Sequence, residues 1–257
     1  MIKYKNNYIY EMVCEVRFST IFKINNVNSE ELSLFREKIK SMFPDYSQVN
    51  ENKYDLKIDN EDNSILPQIH KINILNHSFT TEDKKVKVIL TSNYISLTSS
   101  KYIDHEDYRE KFNFVISFFN EVFKVDIFNR IGIRYINAYS REEFNIKHNK
   151  DWSNYFVKEL LGLSIKQEKS KVFKTNIEIP YDDGSITRII SGFGEKREEG
   201  KDVVPIYILD IDNYLVGNNS YEELFKIMDN LHLHNSEIFE SLITNKLREK
   251  MEVKKNE

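Results

Sequence analysis

The stretch DIFNRIGIRYINAY at residues 126–139 decides the predicted fold, because its apolar and polar residues alternate with a period of two. The predicted inner face carries Ile127, Ile131, Ile133 and Tyr135. The opposite face carries Arg130, Gly132 and Arg134. Side chains of a strand point alternately to the two faces of a sheet, so this pattern predicts one face against a core and one toward solvent. Such half-buried strands are typical of antiparallel sheets.

A second strand with this pattern is predicted at YIYEMVCEVRF, residues 8–18. Its predicted inner face carries Tyr8, Tyr10, Met12, Cys14, Val16 and Phe18, and its outer face carries Glu11, Glu15 and Arg17. The segment CEVRF matches IGIRY at 131–135, and the arginines Arg17 and Arg134 lie 117 positions apart. Two predicted helix starts, near Tyr108 and Tyr221, lie 113 positions apart. We therefore expect an internal duplication with a repeat of about 115 residues.

The remaining patterns predict an α+β fold of two halves, residues 1–124 and 125–251, each running strand, helix, antiparallel meander, helix. Helices are predicted from Ser29, at 104–123, at 152–161 with Gly162 as a cap, and from Tyr221 to Lys250 with a break near Asn235 or Ser236. Meander strands are predicted within 53–99 and at 172–181, 185–193 and 205–211, with a hairpin turn at Asp183-Gly184. We expect the halves to pack as one unit, with one or two antiparallel sheets covered by helices and a frayed tail at 252–257.

Composition limits the class of protein. The 257 residues are 40% hydrophobic and carry a formal net charge of −4, which argues against a basic, sequence-independent nucleic-acid binder. The single cysteine, Cys14, excludes an internal disulfide and is expected to be a small buried residue in a reducing cytoplasm. There is no apolar run of roughly 18 residues, so no membrane association is expected.

Four segments spread over nearly the whole chain carry a family resemblance. They are CEVRF at 14–18, RIGIRYIN at 130–137, ILDID at 208–212 and LHLHNSEIFESLIT at 231–244. In this order they resemble an uncharacterised bacterial protein family that is found sporadically across distant bacteria. The resemblance implies an association with mobile or defence genes. It implies no catalytic residue and no established activity.

Arginines on the predicted outer face form the main candidate binding set. Arg130 and Arg134 share a face of one strand and could grip a phosphate or carboxylate bidentately. Arg17 joins them if the two opening strands are neighbours, and Asn137 completes the set. The alternative is pairing across strands. The acidic partners would then be Glu11, Glu15 or Asp210.

Two further pairs have the chemistry of metal ligands, but neither predicts a metal site. Asp210 and Asp212 point to one face of a predicted strand and could hold Mg²⁺, although no third carboxylate is placed beside them. The alternative is a solvent-facing strand end, with a turn starting at Asp212-Asn213. His232 and His234 diverge by about 200° on a helix and cannot chelate one ion. The alternative packs Leu231 and Leu233 inward and leaves both histidines in water.

The run SGFGEKREEGK at 191–201 is predicted to be a charged hairpin tip. It lacks the glycine spacing and the GK[ST] ending of a phosphate-binding loop. Because loops carry function more often than cores do, Glu195, Lys196 and Arg197 form a candidate contact loop.

These patterns favour a non-catalytic binding or regulatory protein that recognises a protein partner, within a defence or mobile-element locus as the resemblance implies. Nucleic-acid binding by the outer sheet face, with Arg17, Arg130 and Arg134 at the phosphates, is the alternative. A divergent metal-dependent nuclease using Asp210 and Asp212 comes third. No cofactor is predicted. Whether any catalysis occurs is left open, with a non-catalytic role favoured, and the oligomeric state is also left open.

Overall fold

One open, nine-stranded antiparallel sheet organises the protein and carries helices packed against it. The structure is a computed structural model that describes residues 2–57, 68–197 and 202–253. The strands are β1 (Ile9–Arg17), β2 (Asp45–Lys57), β3 (Gln68–Thr80), β4 (Val86–Leu90), β5 (Tyr94–Ser99), β6 (Ile127–Ser140), β7 (Lys174–Pro180), β8 (Ile186–Lys196) and β9 (Val204–Ser220). Their order across the sheet is β2-β3-β4-β5-β1-β6-β9-β8-β7. This arrangement confirms the α+β class and joins both halves in a single sheet.

Five α-helices lie in the described ranges: α1 (Glu30–Ile39), α2 (His105–Phe123), α3 (Lys158–Leu161), α4 (Leu224–Leu242) and α5 (Asn245–Met251). Short 3₁₀ turns occupy Phe22–Asn25, Asn149–Asn154 and Gly162–Ile165. Both predicted helix starts of the first half are confirmed. Side-chain caps account for them, because Ser29 accepts a hydrogen bond from the Leu32 N–H and Asp104 accepts one from the Asp107 N–H. No helix in the described part of the chain is long and apolar enough to cross a membrane.

The helices cover the sheet face that carries the strands' buried apolar residues. One core cluster packs the first-half strands against α1, α2 and the start of α4, with Cys14, Phe35 and Phe119 fully buried. A second cluster surrounds Trp152 and Tyr207 and includes residues of α5. Burial of Cys14 confirms its predicted role as a small core residue, and the same burial raises the pKa of its thiol.

The strand order bears on the predicted duplication. In each half the last meander strand pairs with the opening strand, β5 with β1 and β9 with β6, and the two opening strands pair at the centre of the sheet. The helices α2 and α4 each have 19 residues. However, Tyr108 lies inside α2 whereas Tyr221 precedes α4, so those two tyrosines are not equivalent landmarks. The duplication itself stays a prediction.

Two predicted helices have different bounds from those expected. The segment at 152–161 is not one helix, because a 3₁₀ turn ends at Asn154, Phe156 forms an isolated bridge with Ile243, and α3 is only one turn long. The C-terminal helix breaks at Ile243, which has extended backbone angles, and not near Asn235 or Ser236. The bridge between Phe156 and Ile243 explains both departures, since it fixes the two segments in extended geometry.

Two register shifts also change whether Phe128 and Tyr10 face the core or solvent, compared with the predicted alternation of side chains. A register shift between Phe128 and Arg130 buries Phe128 completely and leaves Ile127 53% exposed, so the prediction for Ile127 is wrong. A second shift between Ile9 and Glu11 leaves Tyr10 48% exposed. Period-two reasoning fails at such bulges because one extra residue reverses the facing of the strand beyond it.

The chain ends meet on the protein surface. Tyr4 forms an isolated bridge with Val253, and the Lys5 N–H donates to the Glu252 carbonyl at 2.8 Å. The expected fraying is therefore wrong for Glu252 and Val253, because backbone hydrogen bonds hold them; residues 254–257 lie outside the described range.

A partly buried polar cluster links α2, α4 and β6. The rings of His105 and His232 stack with centroids 3.8 Å apart, and Nδ1 of His232 lies 2.8 Å from the Tyr135 hydroxyl. Asp229 of α4 accepts from His105 Nε2 and from Arg109 Nε, both at 3.1 Å. Burial, followed by the neighbouring His105, lowers the pKa of His232 to about 3. His232 is therefore a neutral structural histidine at physiological pH.

We expect His232→Gln to flatten the pH dependence of stability. Folded His232 stays neutral down to its lowered pKa of about 3, whereas an unfolded histidine takes up a proton below its ordinary value of 6.5. Stability is thus complete above pH 6.5 and is lost as the pH falls toward 3. At about 1.4 kcal/mol per pKa unit, this group should cost roughly 2 kcal/mol between about pH 6.5 and about pH 5.

Urea unfolding at several pH values in this window measures the effect. Glutamine can still accept a hydrogen bond from Tyr135 but cannot titrate, so the informative quantity is the slope and not the absolute stability. Burial also lowers the pKa of His77, which adds a loss of the same sign to both proteins. The exposed His148→Gln serves as the control and should keep the wild-type slope. A wild-type slope in His232→Gln would contradict the assignment.

Candidate binding surface on the open sheet face

The sheet face opposite the hydrophobic cores carries a ladder of charged side chains at its centre. We call it the open face, and define it by Glu15, Arg17, Arg130, Gly132, Arg134, Asp210, Asp212 and Tyr214. Direct cross-strand partners share a face, so strand register places Arg17 beside Arg130, Glu15 beside Gly132, and Arg134 beside Asp212. The two opening strands are neighbours, and the predicted set Arg17, Arg130 and Arg134 is brought together.

Arg130 folds back over Gly132. A Cβ atom at Gly132 would lie 2.5 Å from Nη1 of Arg130, so only glycine leaves room for the guanidinium there. In that position Arg130 donates to Glu15 Oε1 at 3.3 Å and to Asp212 Oδ2 at 2.9 Å, and it lies 4.7 Å from the ring centroid of Tyr214. Its side chain is only 16% exposed. Arg130 is therefore an enclosed cation with two carboxylate partners and one aromatic partner.

Arg134 makes a two-point ion pair. Its Nε and Nη2 atoms donate to the two carboxylate oxygens of Asp210 at 2.7 and 2.6 Å. This hydrogen bonding raises the pKa of Arg134 further above its ordinary value. The Asp210 side chain is 8% exposed and that of Arg134 is 43% exposed, so the carboxylate lies beneath and the guanidinium faces outward.

The open face is balanced in charge. Arg17 Nε donates to Glu15 Oε1 at 2.7 Å, which gives each of the three arginines a carboxylate partner. Burial raises the pKa of Asp212 above its ordinary value, although Arg130 and Arg134 oppose that shift. The predicted alternative was pairing of the arginines with acidic residues across strands. Such pairs are present for Glu15 and Asp210, and Asp212 is a third acidic partner.

The fourth predicted binding residue, Asn137, lies on the other side of the sheet. It alternates with Ile136 and shares the helix-covered face with Tyr135 and Tyr139, where it is 4% exposed. Its Nδ2 atom donates to the Leu209 carbonyl at 3.2 Å. Asn137 is therefore separated from the arginines by the thickness of the sheet.

The candidate contact loop lies at the end of β8. Lys196 is placed 5.4 Å from the ring centroid of Tyr10, and Arg197 donates to Glu195 Oε2 at 3.1 Å on the surface. Residues 198–201 of the predicted hairpin tip lie outside the described range. These three residues lie at the end of β8, just before the connection to β9. They are not part of the open face.

The metal-site hypotheses meet two obstacles in the geometry. Asp210 and Asp212 do point to one face, as predicted, but Arg134 binds both carboxylate oxygens of Asp210 and Arg130 binds Oδ2 of Asp212. Within the described ranges no group of three or more His, Cys, Asp or Glu residues could hold a metal ion. The predicted turn at Asp212-Asn213 is wrong, because β9 continues to Ser220 and its pairing with β6 and β8 holds these residues inside the strand.

His232 and His234 do diverge on α4, but the predicted exposure of their neighbours is partly wrong. Leu231 is buried as expected, whereas Leu233 is 47% exposed and His232 is only 8% exposed. His234 stacks on Tyr181, with ring centroids 4.1 Å apart, and its Nδ1 lies 3.2 Å from the Ser185 hydroxyl. Because residues 232–234 are helical, His232 points toward β6 and does not follow the alternation of side chains that extended backbone would give.

Tyr214 is the open-face residue that sequence reasoning missed. The strand was predicted to end at 211, so nothing placed Tyr214 opposite Gly132. The available signal was the glycine between two outward arginines, because a missing side chain in a strand marks close approach by another group. The approaching group is the guanidinium of Arg130 itself.

Comparisons with known proteins give no family assignment. No protein-family model matches the chain, and no curated protein sequence shows a significant match. The resemblance based on the four segments stays a prediction.

We expect Gly132→Ala to destabilise the protein by displacing Arg130. The new methyl group occupies the position of the guanidinium, so the contacts with Glu15, Asp212 and Tyr214 are lost at a cost of about 1–2 kcal/mol. In an Arg130→Ala background the clash is absent, and the same substitution should be neutral or slightly stabilising. Chemical denaturation of the four proteins in this double-mutant cycle measures the coupling. Equal costs of Gly132→Ala in both backgrounds would show that Arg130 does not lie over Gly132.

Proposed function

We propose that this protein is a non-catalytic binding protein that recognises a protein partner through the open face. The observation that carries the proposal is the pairing of every open-face arginine with a carboxylate of that same face. The pairs hold long, flexible side chains in fixed positions before any partner arrives. A preordered surface loses less side-chain entropy on binding, which favours specific recognition.

The pattern of charge favours a protein surface over a polyanion. Nucleic-acid backbones are bound by unpaired cations that release counterions, whereas Arg17, Arg130 and Arg134 are neutralised by Glu15, Asp212 and Asp210. A surface on which positive and negative side chains alternate is instead complementary to a protein surface of the same kind. Such charge complementarity governs specificity more than affinity. The nucleic-acid alternative therefore has less support than partner recognition.

Exposed residues at the rim of the open face add accessible contact area. Arg17 has a side chain that is 53% exposed, and Arg134 one that is 43% exposed. Val216, the cross-strand partner of Arg130 on β9, is 63% exposed. Arginines and an exposed apolar residue around an ordered polar centre suit a transient protein interface.

The resemblance to a sporadic bacterial family extends this proposal to a biological setting. If it holds, the partner is the product of a neighbouring gene in a defence or mobile-element locus. Because the proposed protein binds its partner without catalysing a reaction, its proposed role is regulatory.

A capture experiment from the native cell tests the proposal. The tagged full chain should retain one stoichiometric protein, identified by mass spectrometry, with no nuclease-sensitive absorbance at 260 nm. Val216→Asp adds a charge beside Arg130, on the exposed rim of the proposed interface, and should abolish capture. Leu233→Asp makes the same kind of change at a residue that is 47% exposed on α4, and should leave capture intact.

The outcomes separate the hypotheses. Loss of the partner only in Val216→Asp supports recognition by the open face. Equal loss in both variants, or in neither, removes the open face from the interface. Nuclease-sensitive absorbance without a protein partner would instead support the nucleic-acid alternative, which Arg134→Ala and a salt titration would then examine.

A further inference from the structure

A cavity of about 230 Å³ lies on the helix side of the sheet, where the N-terminal segment, α2, α4, α5 and β6 meet. Its apolar and aromatic walls include Tyr8, Ile9, Tyr102, Tyr135, Phe239 and Met251. Tyr102 and Tyr135 contact each other edge to face, with ring centroids 5.6 Å apart. Rings fixed in this way present flat apolar surface with little entropy left to lose on binding.

Three polar groups on the lining remain available to a ligand. Asn137 and Asn235 donate their Nδ2 hydrogens to the Leu209 and Ile211 carbonyls, and their Oδ1 atoms make no hydrogen bond with any described residue. His232 is 8% exposed and uses Nδ1 with Tyr135, so Nε2 is its unpaired position within the described ranges. The two amide oxygens are acceptors, so they call for a hydrogen-bond donor on the ligand.

Charge at this cavity disfavours anions. Asp104, Glu106 and Glu240 line it together with a single lysine, Lys3. Lys3 is itself 3.1 Å from Glu106, and Arg248 lies 2.9 Å from Glu240, so three carboxylates face two cations and one negative charge is in excess. His232 contributes no positive charge, because its burial keeps the imidazole neutral at physiological pH. A neutral ligand avoids both the repulsion and the cost of bringing a charge into a mostly apolar site.

We propose that this cavity binds an uncharged aromatic small molecule that donates a hydrogen bond from a ring N–H or hydroxyl group to Asn137 or Asn235. The size fits such a ligand, since a cavity of about 150 Å³ holds benzene, and this one has room for about ten non-hydrogen atoms. Small-molecule sites commonly combine apolar walls with a few convergent polar groups. The inference is independent of the open face, which lies on the other side of the sheet.

Ligand-observed NMR titration of the full chain with indole tests the proposal. Indole has a planar apolar body and one N–H donor. Benzothiophene has nearly the same shape without the donor, and it should bind about threefold to tenfold more weakly. Benzoate, an anion, should show no binding, and benzylammonium should bind more weakly than indole.

A matched pair of serine substitutions on α4 locates the site. Ser236 lines the cavity, so Ser236→Leu should fill it and weaken indole binding at least tenfold. Ser241 is exposed and does not line the cavity, so Ser241→Leu should bind indole as the wild type does. Thermal unfolding of both variants confirms that they fold.

The proposal is overturned by any of three results. These are no saturable indole binding, unchanged binding in Ser236→Leu, or preference for benzoate, benzylammonium or benzothiophene over indole. Failure of the protein-capture experiment would leave the cavity unaffected, because none of the variants used there lines it.

Discussion

The pairing of β1 with β6 is the constraint on which the rest of the structure depends. These two strands come from opposite halves of the sequence and run antiparallel at the centre of the sheet. Their hydrogen bonds turn two meanders into one surface, bring Arg17 beside Arg130 on one face, and bring Met12 beside Tyr135 on the other. Both candidate sites therefore follow from a single register. A shift of one residue would exchange the faces and place charged side chains in the core.

The sequence predicted the class and most elements because the controlling signals were local. Alternation identified the central strands, and side-chain caps at Ser29 and Asp104 fixed two helix starts. The failures occurred where tertiary contacts decided the outcome. The shift beside Phe128 reversed the expected facing of Ile127, and the contact between Phe156 and Ile243 interrupted two expected helices. Neither bulges nor isolated bridges leave a clear pattern in one sequence.

The candidate sites show the same division between local and distant information. The alternation of side chains along β6 was enough to predict that Arg130 and Arg134 share a surface. It also correctly suggested acidic residues of neighbouring strands as their alternative partners. It could not show that β9 extends past Asp212, so Tyr214 was missed. The helix-side cavity could not be predicted because its walls come from five separated segments. His232 was expected in water, yet the stacking with His105 and the bond to Tyr135 depend on how α2 and α4 meet over β6.

The bridge between Tyr4 and Val253 has a consequence for biosynthesis. Tyr4 bridges Val253, and the Tyr4 hydroxyl donates at 2.6 Å to Glu240, which lies 236 positions later, so these contacts of Tyr4 form only after the distant residues have been synthesised. Contacts of such long sequence separation close slowly, because the entropy of a large loop is lost before they form. The emerging first half must hold its opening strand unpaired on one side until β6 is synthesised. During translation the nascent chain therefore exposes an unpaired strand edge, which makes early engagement by a chaperone advantageous for this topology.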